Sequence, residues 1–164
     1  MPQLKIEIIY NRIMKRIFFL VLTVFTLHLS AFSQMAEPVK WSYKAEKVAD
    51  NQYIITISAE IAEGWFVYSQ DLPQRGPIPT KIQFEQNPNI VLQGRPLELG
   101  DKKEDYDHNF NMTVTKFSGT PQFVQKITVT TSVPQVKGTL QYMSCNAQMC
   151  LPPRTVKFDV PLEH

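Results

Sequence analysis

Gln52-Tyr53-Ile54-Ile55-Thr56-Ile57-Ser58-Ala59 decides the fold class of this chain. Tyr53, Ile55, Ile57 and Ala59 share one parity, and β-branched residues fill much of the run, the period-two pattern of a half-buried strand. Trp41, Tyr43 and Ala45 show the same alternation upstream, and short runs of the kind follow at 81–85, 90–92, 112–117, 123–131, 139–143 and 155–160. Turn-forming residues stand between them: Gly76-Pro77-Ile78-Pro79, Asn87-Pro88-Asn89, Gly94-Arg95-Pro96, Gly119-Thr120-Pro121 and Val133-Pro134. The 12 prolines forbid long helices and suit loops and sheet edges. About eight short strands so punctuated predict an all-β chain, an immunoglobulin-like β-sandwich, with a small barrel as the alternative. The inter-sheet disulfide of antibody domains is not expected, because the two cysteines here are near neighbours.

The chain opens like an exported protein. Met14-Lys15-Arg16 precedes a short apolar run from Ile17 to Leu27, and Ala31-Phe32-Ser33 places small residues where a signal peptidase reads, so cleavage is expected before Gln34. The run is shorter than the roughly 20 residues of a bilayer crossing, which argues against an anchor and against stable membrane insertion. Residues 1–33 are thus read as a signal peptide, with Met14 the expected true start, and 34–164 as one soluble domain. Of 17 basic and 15 acidic residues, four basic and one acidic lie in that leader, leaving a net charge of −1. A chain so balanced gives no reason to invoke nucleic acid.

The chemistry is confined to Tyr142-Met143-Ser144-Cys145-Asn146-Ala147-Gln148-Met149-Cys150-Leu151-Pro152-Pro153, which holds both cysteines. In an exported protein the pair can bond each other, a metal or another molecule. A disulfide would close a loop of six residues, for which chain entropy gives only about 2 kcal/mol, a poor return for a staple placed for stability. Close pairs are often strained and the more easily reduced. Pro152-Pro153 stiffens the chain after Cys150 and removes two donors. Three readings stay open on these residues: an exchangeable disulfide, a structural clasp in a secreted binding module, and a Cu(I) carrier using the sulfurs of Met143, Cys145, Met149 and Cys150. Zinc is poorly supported, since only His108 and His164 follow the leader and neither is near in sequence.

The Tyr142–Pro153 element, together with Gly64-Trp65-Phe66-Val67-Tyr68-Ser69-Gln70 and Gly76-Pro77-Ile78-Pro79-Thr80, resembles the N-terminal periplasmic domain of the thiol:disulfide interchange protein DsbD, over roughly residues 38–161. The resemblance implies an immunoglobulin-like redox domain in the periplasm. It would take electrons from a membrane-embedded DsbD/CcdA-like donor and pass them by disulfide exchange to periplasmic thioredoxin-like proteins, including disulfide isomerases and cytochrome c maturation factors. No cofactor beyond the disulfide and no metal is implied. The loop between the cysteines is slightly shorter than in enteric members. The transmembrane and thioredoxin-like domains of full-length DsbD are not in this sequence, so a free-standing relative with a separate donor is expected.

The resemblance also assigns roles. Cys145 and Cys150 are the redox pair, with Cys150 the sulfur that bonds the downstream partner and Cys145 the resolving thiol. Glu104–Asn111 matches the cap loop that shields the cysteines, with Tyr106, Asp107, His108, Asn109 and Phe110 its candidate residues, Phe110 the first choice as shield. Tyr68 lies in the matched segment and is a candidate to line the site, with a core tyrosine the plainer reading. Trp65 reads as core. Asn111-Met112-Thr113 fits a glycosylation sequon that a bacterial-looking export leaves unused.

Overall fold

The computed structural model describes residues 12, 14–17, 37–73 and 76–163. Arg12 and Met14–Ile17 are helical, and no helix among the described residues is long and apolar enough to cross a membrane. The rest of the leader expected at 1–33, its cleavage site included, lies outside the described residues. The residues from Glu37 onward form a compact unit of their own.

That unit is built from strands: β1 (Val39–Ala49), β2 (Gln52–Ile61), β3 (Phe66–Tyr68), β4 (Lys81–Phe84), β5 (Ile90–Leu99), β6 (Lys102–Asp107), β7 (Met112–Phe117), β8 (Gln122–Val129), β9 (Gln135–Tyr142), β10 (Ser144–Cys145) and β11 (Arg154–Pro161). They form three open sheets in the orders β1-β2-β8-β5, β10-β3-β7-β6 and β11-β9-β4. All named pairings are antiparallel. The expected alternation in β2 is realised: Tyr53, Ile55, Ile57 and Ala59 are buried and the residues between them are only half-buried. One apolar core collects side chains from all three sheets, including Ile55 and Phe123 from the first, Val67 and Phe117 from the second, and Leu140 and Phe158 from the third. The first sheet therefore packs across the other two, which makes a sandwich rather than a closed barrel. Gly138 permits one close contact in it, for a Cβ there would lie 2.3 Å from the Phe158 ring and 2.4 Å from the Gln83 carbonyl.

Three strands escape a reading of apolar alternation. β3 and β10 are three and two residues long, too short to show a period. β6 is Lys-Lys-Glu-Asp-Tyr-Asp with only Asp107 buried, so its strand state comes from its ladder to β7 and not from an apolar face. β5 also runs to Leu99 rather than ending near Leu92. Gly94 and Pro96 do not break it; they sit in an irregularity between Gln93 and Leu97 where the register with β8 shifts.

Candidate functional site

The apolar run at 139–143 continued to Ser144 would make one strand that Cys145 ends, but the structure does not carry a single strand through. β9 belongs to the third sheet, the ladder lapses at Met143, and β10 joins the second sheet, where Ser144 pairs Val67 and Cys145 pairs Phe66. This change of sheet carries Cys145 into the interior. The chain then turns back at once: Asn146 Oδ1 accepts the amides of Gln148 and Met149 at 2.8 and 2.9 Å, and the Asn146 amide donates to the Met149 carbonyl at 2.9 Å. Leu151 N donates to the Ser144 carbonyl at 2.9 Å and closes the loop. Cys150 is thereby set beside Cys145, and the two are disulfide-bonded. Cys145 is fully buried, whereas Cys150 is partly exposed and followed by the exposed Pro152-Pro153.

Tyr68, the last residue of β3, stands directly against the sulfurs. It is fully buried, with Oη 3.2 Å from Cys145 Sγ and 3.9 Å from Cys150 Sγ. The same hydroxyl lies 2.5 Å from Oδ2 of buried Asp107. One hydroxyl carries one proton, and the short distance assigns it to the carboxylate while the disulfide is closed. Burial, then the hydrogen bond to Asp107, then that carboxylate's charge push the Tyr68 phenol well above its ordinary range, so it stays protonated. Asp107 ends β6, and its Oδ1 accepts the Asn109 amide at 2.8 Å, which shapes the turn to β7.

The segment read as a cap loop is, in the structure, the end and tip of the β6–β7 hairpin. Tyr106 and Asp107 are in β6 and 108–111 form the turn, with Asn111 at φ 52°. Phe110 packs edge-on to Tyr68 at 6.2 Å between ring centroids and joins the small apolar cluster of Tyr68, Val114 and Cys145. Tyr106 instead points outward, about half exposed, with His108 edge-on to it at 5.1 Å. Asn109 Nδ2 reaches the Asn146 carbonyl at 3.5 Å, a long contact between hairpin tip and cysteine loop. A cavity of about 320 Å³ lies beside that contact, lined by Phe66, Asp107, Asn109, Lys116 and Asn146 among others. Lys116 sits 4.5 Å above the Phe66 ring and pairs with Asp105 at 2.9 Å. That side chain, absent from any sequence reading of the site, is the cation brought near Cys145's ladder partner.

Met143 and Cys150 pack on the same cluster, but Met149 is half exposed at the loop apex. With both cysteines in the disulfide, this state offers no thiolate to a copper ion. Trp65 packs against the main core. What the corner can do chemically is exchange: a reachable sulfur, a buried sulfur, and a hydroxyl able to serve the buried one.

A model of the N-terminal region of the thiol:disulfide interchange protein DsbD matches residues 34–162. The chain belongs to the DsbD N-terminal family. Its fold is an immunoglobulin-like sandwich and its biochemical role is that of a thiol–disulfide exchange domain. Among solved structures, it is similar to the complex of the DsbD and PilB N-terminal domains from Neisseria meningitidis, with 20% identity, 79% of this chain and 88% of that one covered, and a TM-score of 0.49. The N-terminal periplasmic domain of ScsB from Proteus mirabilis matches with 12% identity over 75% of this chain, 45% of that one, at 0.48. The reduced N-terminal domain of Neisseria meningitidis DsbD matches with 21% identity over 76% and 86%, at 0.41. The assignment rests on the family model rather than on these distant likenesses. No curated protein matches the chain.

Proposed function

We propose that this domain carries electrons in the periplasm, taking them from a membrane-embedded DsbD/CcdA-like reductase and delivering them to exported thioredoxin-like proteins, cytochrome c maturation factors among them. Export would follow cleavage before Gln34. The observation that carries the reading is the inequality of the two bonded sulfurs, one partly exposed and one buried against a hydroxyl.

Loading proceeds by two exchanges. A donor thiolate attacks Cys150 Sγ, the Cys145–Cys150 bond breaks, and Cys145 leaves with the electron pair. A second donor thiolate attacks the donor sulfur of the mixed disulfide and releases Cys150; the donor is oxidised and the domain holds two thiols. Unloading runs in reverse. The Cys150 thiolate attacks an acceptor disulfide, and Cys145 then attacks Cys150 Sγ, re-forming the domain's bond and freeing the reduced acceptor.

Burial of Cys145 supports its place as the resolving sulfur. The contact of Phe110 with Tyr68 and the cysteine cluster supports a shield that a docking partner displaces. The test is capture: reduced Cys145→Ser domain, mixed with exported thioredoxin-like proteins bearing a disulfide, accumulates a mixed disulfide through Cys150 detected by mass spectrometry. No adduct with any such protein, while the wild-type disulfide stays closed in the cell, contradicts the proposal.

A further inference from the structure

β3 carries Tyr68 as the last of its three residues. Its neighbour β10 pairs only with Phe66 and Val67, so Tyr68 has a ladder partner on one side alone, Lys116 of β7. Other contacts hold the chain there. The buried Thr80 hydroxyl donates to the Tyr68 carbonyl at 2.6 Å, which gives the Gly76–Thr80 segment a task. Beyond Tyr68, the Ser69 amide still donates to the Thr115 carbonyl of β7 at 3.0 Å, and the Ser69 hydroxyl and Gln70 amide converge on one carboxylate. Glu98 Oε1 accepts the Gln70 amide at 2.6 Å, and buried Ser69 Oγ lies 2.9 and 2.8 Å from the two carboxylate oxygens.

Glu98 is placed for this against the usual pattern of a strand. In β5 it points inward, its side chain only 6% exposed, while Leu97 and Leu99 on either side point outward at 61% and 43%. An acid inside with leucines outside costs apolar burial, and that cost is explained if the acid has a structural partner. Lys102 Nζ at 2.9 Å completes its shell. Burial pushes the Glu98 carboxyl up, but the Gln70 amide, Lys102 and Ser69 outweigh it and hold the group below its ordinary value.

We infer that Glu98 is a positioning residue: by fixing Ser69 and Gln70 it sets where the Tyr68 hydroxyl stands against Cys145 Sγ. The inference rests on the exchange reading above. The hydroxyl stands 3.2 Å from the sulfur it would serve, and a shift of β3 changes how well it meets that sulfur as Cys145 departs.

The test is a coupling experiment. The rate at which a small dithiol reduces the disulfide is measured across pH for Glu98→Gln and Ser69→Ala, each with and without Tyr68→Phe. Each single variant is expected to slow reduction roughly two- to tenfold, the lower part of the coupling seen between residues of one hydrogen-bond network. That loss should vanish when Tyr68 is already Phe. An unchanged rate, or the same slowing in both backgrounds, overturns the inference even if the melting temperature falls. Ser69→Ala removes one hydroxyl and keeps the test decisive if Glu98→Gln does not fold. A wild-type disulfide that resists the dithiol at every pH overturns the exchange reading itself, a result distinct from failure of the coupling.

Discussion

Tyr68 has one proton and two acceptors within reach, Asp107 and the sulfur of Cys145. While the disulfide is closed the carboxylate takes the proton; in the proposed exchange Cys145 would leave as a thiolate, and its charge would compete for that proton. A hydrogen bond to a charged group contributes about 1.5–3 kcal/mol, so Tyr68→Phe should slow the step in which Cys145 departs by roughly ten- to a hundredfold. Stopped-flow reduction by a dithiol measures this. Asp107 acts in the opposite sense, withholding the proton and placing a negative charge one hydroxyl away from the sulfur. Asp107→Asn should therefore ease ionisation of the reduced Cys145 thiol, read as thiolate absorbance appearing at lower pH than in the wild type. An unchanged titration would remove Asp107 from the chemistry. At this scale the sequence was partly legible. The cysteines announce themselves, and Tyr68 and Asp107 can each be named from the family motifs. Their hydrogen bond spans 39 positions, and no local pattern records it.

The β6–β7 hairpin and the cysteine loop are the elements that make the site. The hairpin tip brings Phe110 onto Tyr68, and Phe110→Ala should expose the disulfide, raising its reduction rate by small thiols several-fold with little change for a docked protein partner. Equal rates for the variant and the wild type would deny the shield. Glu98 adds an acid-sensitive joint between β5 and β3. Its folded pKa lies below the ordinary 4.5, so its contribution to stability is complete above that pH and is lost as pH falls through the folded value. Denaturant midpoints measured from about pH 6 to pH 3 should drop, and Glu98→Gln should flatten that drop. The alternating strands were readable because one face of each meets the core, as in β2. The highly charged β6 and the two-residue β10 were not, since pairing alone makes them strands. Glu98 escaped for a related reason: beside Gly94 and Pro96 it reads as loop, and only the irregularity in β5 turns it inward.

On the scale of the whole molecule, the sandwich is a rigid mount for a bond that contributes little to its own stability. The core draws on all three sheets, while the disulfide closes six residues at one corner, so reducing it should cost about 2 kcal/mol and leave the domain folded. A fold that survives both redox states is what an electron carrier requires. Equilibrium titration of residues 34–164 against dithiol buffers tests that claim most directly. Electron carriage requires a reversible two-electron transition among the cellular dithiol couples, between roughly −180 and −270 mV, with the far-ultraviolet spectrum unchanged across it. A midpoint below about −300 mV, or unfolding on reduction, would make the bond a fixed clasp and contradict the account.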